Sequence, residues 1–361
     1  MKILLLSAYD AVSHAYWRES LYLAFPSHHW TTLTLPPRYF PWRIRGNGMS
    51  WHQEPTLRQD YDLCMVTSMV DLATLRGLVP HLASIPTVLY FHENQFAYPL
   101  SDNALKHQQV GPQFVQIYSA LAADMLCFNS DFNRQTFLLG CEALLKKMPD
   151  EVPPGLGDTL RLRSRVVPVG LTPVAVETVE TQSNAHSLVW NHRWEYDKGP
   201  ERLLAFVQAL PADLALTFHI VGQSFRSLPP AFAQLKALLN ARGWLGQWGY
   251  VESKEAYLQL LAQSRYVIST SEHDFQGLAI LEAVQCGCIP ILPARMAYPE
   301  FFAREYLYAS KDGVAEEAQA MVGKALALFD APETPVPDIS SLVIDAVKPD
   351  YQGLWEELLR R

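Results

Sequence analysis

Short apolar runs alternate with longer helix-like stretches along the whole of this chain, and that alternation leaves few folds open. "KILLLSAY", "HWTTLTL", "YDLCMVTS", "PTVLYFH", "DMLCFNS" and "RVVPVGL" follow one another in the first half. "HSLVWNHR", "LTFHIVGQ", "QWGYV", "YVISTS" and "CIPILP" repeat the pattern in the second. Continuous apolar strands separated by helices are the signature of parallel sheets covered on both faces. The polar stretch "TPVAVETVETQSNA" has no apolar period and divides the two sets. The expected organisation is therefore two doubly wound α/β domains, 1–171 and 186–345, joined by a hinge at 172–185. Ligands of such sheets bind at the carboxyl ends of the strands, so the domains are expected to face each other across a cleft. The tail, 346–361, reads as a helix with Leu354, Trp355, Leu358 and Leu359 on one face. It either completes the second domain or crosses back onto the first.

Length supports two cores, since 361 residues exceed the ~250–300 at which single cores stop growing. Hydrophobic residues are 49% and charged residues 18%, which excludes a disordered chain. No apolar run reaches membrane-helix length, and "MKILLLSAYD" turns polar too soon for a signal peptide, so a cytoplasmic protein with no membrane partner is expected. The five cysteines lack paired CxxC spacing and read as buried thiols in a reducing compartment. A formal charge of −8 argues against broad electrostatic binding to nucleic acid, leaving room only for a local basic patch.

The stretch "ISTSEHDFQGLAILEAVQCGCIPIL" leaves a strand, crosses an acidic loop and enters a helix. With the helix starting near Gly277, Asp274 precedes its N-terminus and Glu282 lies inside it. The amides of Phe275, Gln276, Gly277 and Leu278 would then offer donors to a phosphate or sugar hydroxyl. Alternatively Asp274 only caps the helix and Glu282 meets solvent. "NHRWEYDKGPERLLAF" places Arg193 and Lys198 on another strand-to-helix loop, where two cations can neutralise a diphosphate. The competing reading pairs them with Glu195 or Asp197 in solvent.

In "PTVLYFHENQFAYPL" a hydrophobic strand ends on His92, Glu93, Asn94 and Gln95, which can bind sugar hydroxyls or carry a proton. A structural Asn or Gln turn is the other view. Ser13 and His14 open the first helix, and there His14 alone is more often structural than a ligand. "PPRYFPWRIRGNGMSW" interleaves Arg38, Arg43 and Arg45 with aromatic rings, a composition suited to single-stranded RNA. On composition alone a surface loop with arginine stems over its aromatics is favoured. No HExxH, GxSxG or Walker motif occurs, which disfavours a zinc protease, an esterase and an NTPase.

Taken together, these motifs resemble a known family. The Arg193-to-Lys198 spacing and "DFQGLAILEAVQCG" are similar to the donor-binding half of family-4 retaining glycosyltransferases of the GT-B fold. "YDAVSHAYW", "LPPRYFPWRIRG", "LYFHENQFAYP", "FNSDFN", "NHRWEYDKGPE" and "YPEFF" narrow the resemblance to the tRNA-queuosine mannosyltransferase group. The resemblance implies transfer of mannose from GDP-mannose to queuosine in a tRNA anticodon, with retention and without a metal or other cofactor. It further implies that Arg193 and Lys198 hold the diphosphate, Glu282 the ribose, and Asp274 with the 275–278 amides the donor sugar. His92 would sit beside the sugar; Ser13, His14, Glu93, Asn94 and Gln95 would shape the acceptor pocket; and Arg38, Arg43 and Arg45 would contact the anticodon loop. The chain departs from that pattern at Ala11 and Val12, at Asp274 where Glu is usual, and at Gln276 where an aromatic is common. Two rival functions remain at this level: a family-4 transferase with a lipid or polysaccharide acceptor, and a non-catalytic tRNA-binding protein of the same fold.

Overall fold

The computed structural model describes residues 1–97, 110–174, 186–224 and 228–360. It forms two compact units, Met1–Thr172 with Ser341–Arg361, and Pro173–Ser340.

The first unit is built on six parallel strands: β1 (Lys2–Ser7), β2 (His29–Thr34), β3 (Leu63–Thr67), β4 (Thr87–Phe91), β5 (Met125–Phe128) and β6 (Ser164–Val166). Their order is β2-β1-β3-β4-β5-β6. Every residue of β3, β4 and β5 is buried, which is why those runs read as continuously apolar. β2 lies at the edge and is only partly covered. The order of travel reverses between β1 and β3, and the loops leaving the carboxyl ends of strands at such a point diverge to leave room for a ligand.

The tail joins this unit. The Ile344–Leu359 helix buries Trp355 against Phe25 at 4.5 Å between ring centroids, and Tyr351 accepts a hydrogen bond from Trp17 Nε1 at 2.9 Å. Arg165 holds Glu357 through Nε at 3.2 Å and Nη2 at 2.6 Å. The return begins at Ser341, before residue 346, because Leu171 exchanges backbone hydrogen bonds with Leu342 and Ile344, each 2.8 Å. Most of the expected hinge, residues 175–185, lies outside the described residues.

The second unit repeats the plan with β7 (Ser187–Trp190), β8 (Thr217–Val221), β9 (Leu245–Gly249), β10 (Tyr266–Ile268), β11 (Ile289–Pro293) and β12 (Leu307–Tyr308), in the order β12-β11-β10-β7-β8-β9. All pairs are parallel, and the reversal falls between β7 and β10. All eleven apolar runs of the sequence occur as strands. β12 was not expected, because two residues carry no periodic signal.

One local expectation fails. The arginine-rich segment expected to be a surface loop is a helix, Phe40–Trp51. Pro41 sits in the first turn, where a missing N–H costs nothing. Ile44, Asn47, Gly48 and Trp51 recur at helical spacing on the buried side, a period masked by the outward aromatics.

The five cysteines are free and buried, and burial pushes the Cys64 and Cys286 thiols up to about 12. No helix among the described residues is long and apolar enough to cross a membrane.

Candidate functional site

The pairing of β7 with β10, Tyr266 beside Leu188 and Val267 beside Val189, sets the two loops that follow them side by side. Hydrogen bonds to the backbone then lock the loops together. Asp197 O accepts from the amides of Glu272 (2.9 Å) and His273 (3.2 Å), and Thr270 Oγ1 donates to Lys198 O at 2.8 Å. Gly199 makes this closeness possible: its φ is 63°, and the Thr270 carbonyl occupies the space a Cβ would need.

Lys198 is buried at the centre. Its Nζ donates to His273 O at 2.6 Å and lies 3.5 Å from the carboxylates of both Asp197 and Asp274. Asp274 serves in two ways. Oδ1 accepts from the Gly277 amide at 2.8 Å, and Oδ2 faces Lys198 and accepts from Tyr298 Oη at 3.3 Å. Burial pushes this carboxyl up, but Lys198, ahead of His192, His273 and the Gly277 amide, outweighs it and holds the group below its ordinary value.

Helix Leu278–Gln285 begins behind this loop, with Gly277 at φ 79° as its N-cap. A Cβ at Gly277 would stand 2.8 Å from the Tyr298 ring. The expected row of four donor amides is incomplete, since Asp274 already takes that of Gly277. Phe275 and Gln276 are buried and Leu278 half-buried. Glu282 does not simply meet solvent: its side chain is 14% exposed and pairs with Lys254, which is 61% exposed. Tyr257 lies against it, its hydroxyl accepting from Asn191 Nδ2 at 3.0 Å, and burial ahead of Glu282 raises its pKa.

Arg193 and Lys198 thus differ. Arg193 is 45% exposed and pairs with Glu195 and, at 3.6 Å, with the buried Asp197. Lys198 is enclosed.

Several groups at this site went unnoticed in the sequence. His192 Nε2 lies 3.0 Å from Ser269 Oγ, which also meets Tyr298 Oη at 2.8 Å. Arg295 grips the buried Glu317 through Nη1 (2.6 Å) and Nη2 (3.0 Å) and donates from Nε to Ser271 O at 2.9 Å, bracing the loop from behind. Arg202 ties Glu272 to the same brace, bonding Glu272 at 2.6 Å and standing 3.3 Å from Glu317. His192, Arg202, Ser269 and Tyr298 lie inside stretches the sequence singled out, whereas Arg295 and Glu317 lie outside them.

In the first unit the named residues gather after β1 and β4. His14 is buried, stacked on His92 at 4.2 Å, and its Nε2 lies 3.2 Å from Glu93 Oε2. Glu93 keeps 21% of its side chain exposed. His92 is packed by Trp17 and Tyr90, and its Nε2 has no partner among the described residues. Asn94 points inward: Nδ2 donates to Asn133 O, Asn133 Oδ1 and Thr136 Oγ1, while Oδ1 accepts from Phe96 N and Ala97 N. That is the structural turn, and it leaves this side chain no capacity for an acceptor. The Gln95 backbone is likewise held, its amide by Gln116 at 2.8 Å. Ser13 is half-buried, Arg38 and Arg45 are exposed, and Arg43 turns Nε onto Pro36 O at 3.3 Å.

Two histidines are buried in neutral form. Burial, then His14, holds His92 well below its ordinary value, and burial, then Lys198, pushes His192 down to about 3. In the unfolded chain each titrates near 6.5, so the unfolded state takes up protons first as pH falls. The associated stability is whole above about pH 6.5 and drains as pH drops, for His192 by about 2 kcal/mol between pH 7 and 5. Melting temperatures across that range should fall in the wild type and fall less in His192→Gln. Parallel curves would mean that His192 is not neutral when folded.

Among the described residues no group of three or more His, Cys, Asp or Glu is arranged to hold a metal. Solved structures share the architecture. A glycosyltransferase from Rickettsia africae matches with a TM-score of 0.65 at 14% identity, over 100% of this chain and 99% of the other. Anabaena HepE, solved with UDP and glucose, matches with 0.63 at 15% identity over 99% and 100%. The fold is GT-B, the architecture of those glycosyltransferases. Residues 2–171 match the family model described as tRNA-queuosine alpha-mannosyltransferase N-terminal. A tRNA-queuosine alpha-mannosyltransferase of Drosophila melanogaster is 32% identical over 295 residues, 79% of this chain and 77% of the relative. The chain belongs to the tRNA-queuosine alpha-mannosyltransferase family.

Proposed function

We propose that the enzyme moves mannose from GDP-mannose onto the cyclopentene hydroxyl of queuosine in a tRNA anticodon, with retention of configuration and without a metal. The observation that carries this reading is the 32% identity to the Drosophila relative, over a length that must include parts of both units. The geometry of the second unit supports the donor half. Lys198, with Arg193 nearby on the same loop, supplies the positive charge that a departing diphosphate needs. The C1–O bond to the diphosphate breaks as the acceptor oxygen bonds C1 on the same face, and the leaving phosphate oxygen takes the acceptor's proton. No protein nucleophile is required. Asp274 holds the sugar, and Glu282 the ribose hydroxyls once it exchanges Lys254 for them. Ser13, His14, His92 and Glu93 of the first unit line the acceptor.

Two measurements test this. GDP should raise the melting temperature more than UDP or ADP at equal concentration. Mass analysis of tRNA nucleosides from cells with and without the protein should find a hexose on queuosine only when it is present. Identical nucleoside profiles would overturn the acceptor, and equal shifts with all three nucleotides would overturn the donor base.

A further inference from the structure

The Phe40–Trp51 helix has a second, largely exposed face. Ile44, Asn47, Gly48 and Trp51 turn inward, and Asn47 anchors the helix by donating to Met69 O at 3.1 Å and accepting from Asp71 N at 3.0 Å. Tyr39, Trp42, Arg45 and Met49 recur every three or four residues on the opposite side. Tyr39 is 69% exposed, Trp42 48% and Met49 56%, and Arg45 is exposed too.

This face is seated, and the seats are specific. A Cβ at Gly46 would meet the Trp42 ring at 2.7 Å, so the indole lies close over the helix where only glycine leaves room. Arg45 rests its guanidinium on Gly111 of the neighbouring Val110–Ala122 helix, in the space a Cβ would fill. Gly111, Phe114 and Tyr118 share one face of that helix, which carries the surface onward to a Tyr118 that is 55% exposed. Tyr39 is held at φ 56°, a left-handed conformation that costs a tyrosine energy, with the Arg38 guanidinium 5.6 Å from its ring.

Charge selects the occupant. Residues 36–53 contain three arginines and no Asp or Glu, and 110–122 contain no acid either, in a chain of net charge −8. A membrane-lying helix keeps its basic residues on the face opposite its apolar ones, whereas here Arg45 shares one face with the exposed Trp42 and Met49. Exposed rings beside arginines suit a ligand with flat π-faces and a polyanionic backbone. We infer that Tyr39 and Trp42 form a stacking platform for unpaired bases of an RNA loop, with Arg38 and Arg45 on its phosphates. As a tRNA anticodon surface this rests on the proposed acceptor, but its test does not require transfer.

The experiment uses the full chain and two RNAs, a synthetic anticodon stem-loop and the same sequence fully duplexed. Tyr39→Asn keeps a residue that tolerates the left-handed conformation while removing the ring, and Trp42→Ala removes the second ring from an exposed site. Each should weaken stem-loop binding roughly tenfold, as loss of one stacked base does, and leave duplex binding nearly unchanged. Arg45→Gln should weaken both RNAs and reduce the slope of log K against log salt by about 0.7–0.9. Unchanged stem-loop affinity in the Tyr39→Asn/Trp42→Ala double variant would overturn the platform. Loss of binding to anionic lipid vesicles, with RNA affinity kept, would reassign the face to a membrane. If the wild type binds the stem-loop through these rings yet adds no hexose to queuosine, the proposed function fails while the platform stands.

Discussion

Replacing Lys198 with methionine should lower turnover roughly a hundred- to a thousandfold, the usual cost of removing one fixed positive donor from a developing anionic leaving group. The ammonium is already aimed and desolvated, 2.6 Å from His273 O and 3.5 Å from two carboxylates, so little reorganisation is needed when a diphosphate arrives. The same change strips the buried Asp197 and the partly buried Asp274 of their shared cation. Breaking a buried pair on one side costs about 3–5 kcal/mol, so the melting temperature should also fall. The two effects separate in the double variant Lys198→Met/Asp274→Asn, which removes one uncompensated charge and keeps an amide that can cap Gly277. Stability should partly return and turnover should not. Near-wild-type turnover in Lys198→Met, measured on folded protein, would remove Lys198 from the catalytic assignment.

Glu282→Ala should act almost wholly on the donor. Hydrogen bonds from ribose hydroxyls to an ionised carboxylate are worth about 1.5–3 kcal/mol, so GDP affinity should fall roughly ten- to a hundredfold and the donor KM should rise with it. Folding should weaken only modestly, because Lys254 is 61% exposed and returns to water while the buried Tyr257 hydroxyl loses one acceptor. Calorimetric titration with GDP checks this directly. Unchanged affinity would show that Glu282 serves only its surface pair.

Eleven strands were legible: the central ones because burial on both faces leaves an unbroken apolar run, while the edge strands β2 and β9 are only partly covered. The residues proposed to hold the donor were legible in part. Arg193, Lys198, Asp274 and Glu282 stand out as charges beside strand ends, but nothing in their order shows that Lys198 is enclosed and Arg193 exposed. At 92–95 four polar residues looked alike in sequence. In the structure Glu93 keeps an accessible carboxylate, whereas Asn94 spends its amide on Asn133, Thr136, Phe96 and Ala97. Arg295 and Glu317 were invisible, since a brace between residues on separate elements leaves no local pattern.

By itself, then, the sequence determined the class: two parallel α/β sheets, the charged loops that follow their strands, and a motif set specific enough to point to one family. These are properties of short segments, set by burial and backbone chemistry within a few residues. Tertiary structure decided which charges face each other. Residues 198 and 274 meet because β10 enters the sheet beside β7, not beside β9, which precedes it in the chain. It also decided that the arginine-rich segment coils, since only packing of Ile44 and Trp51 into the first unit's core gives that helix an inner and an outer face.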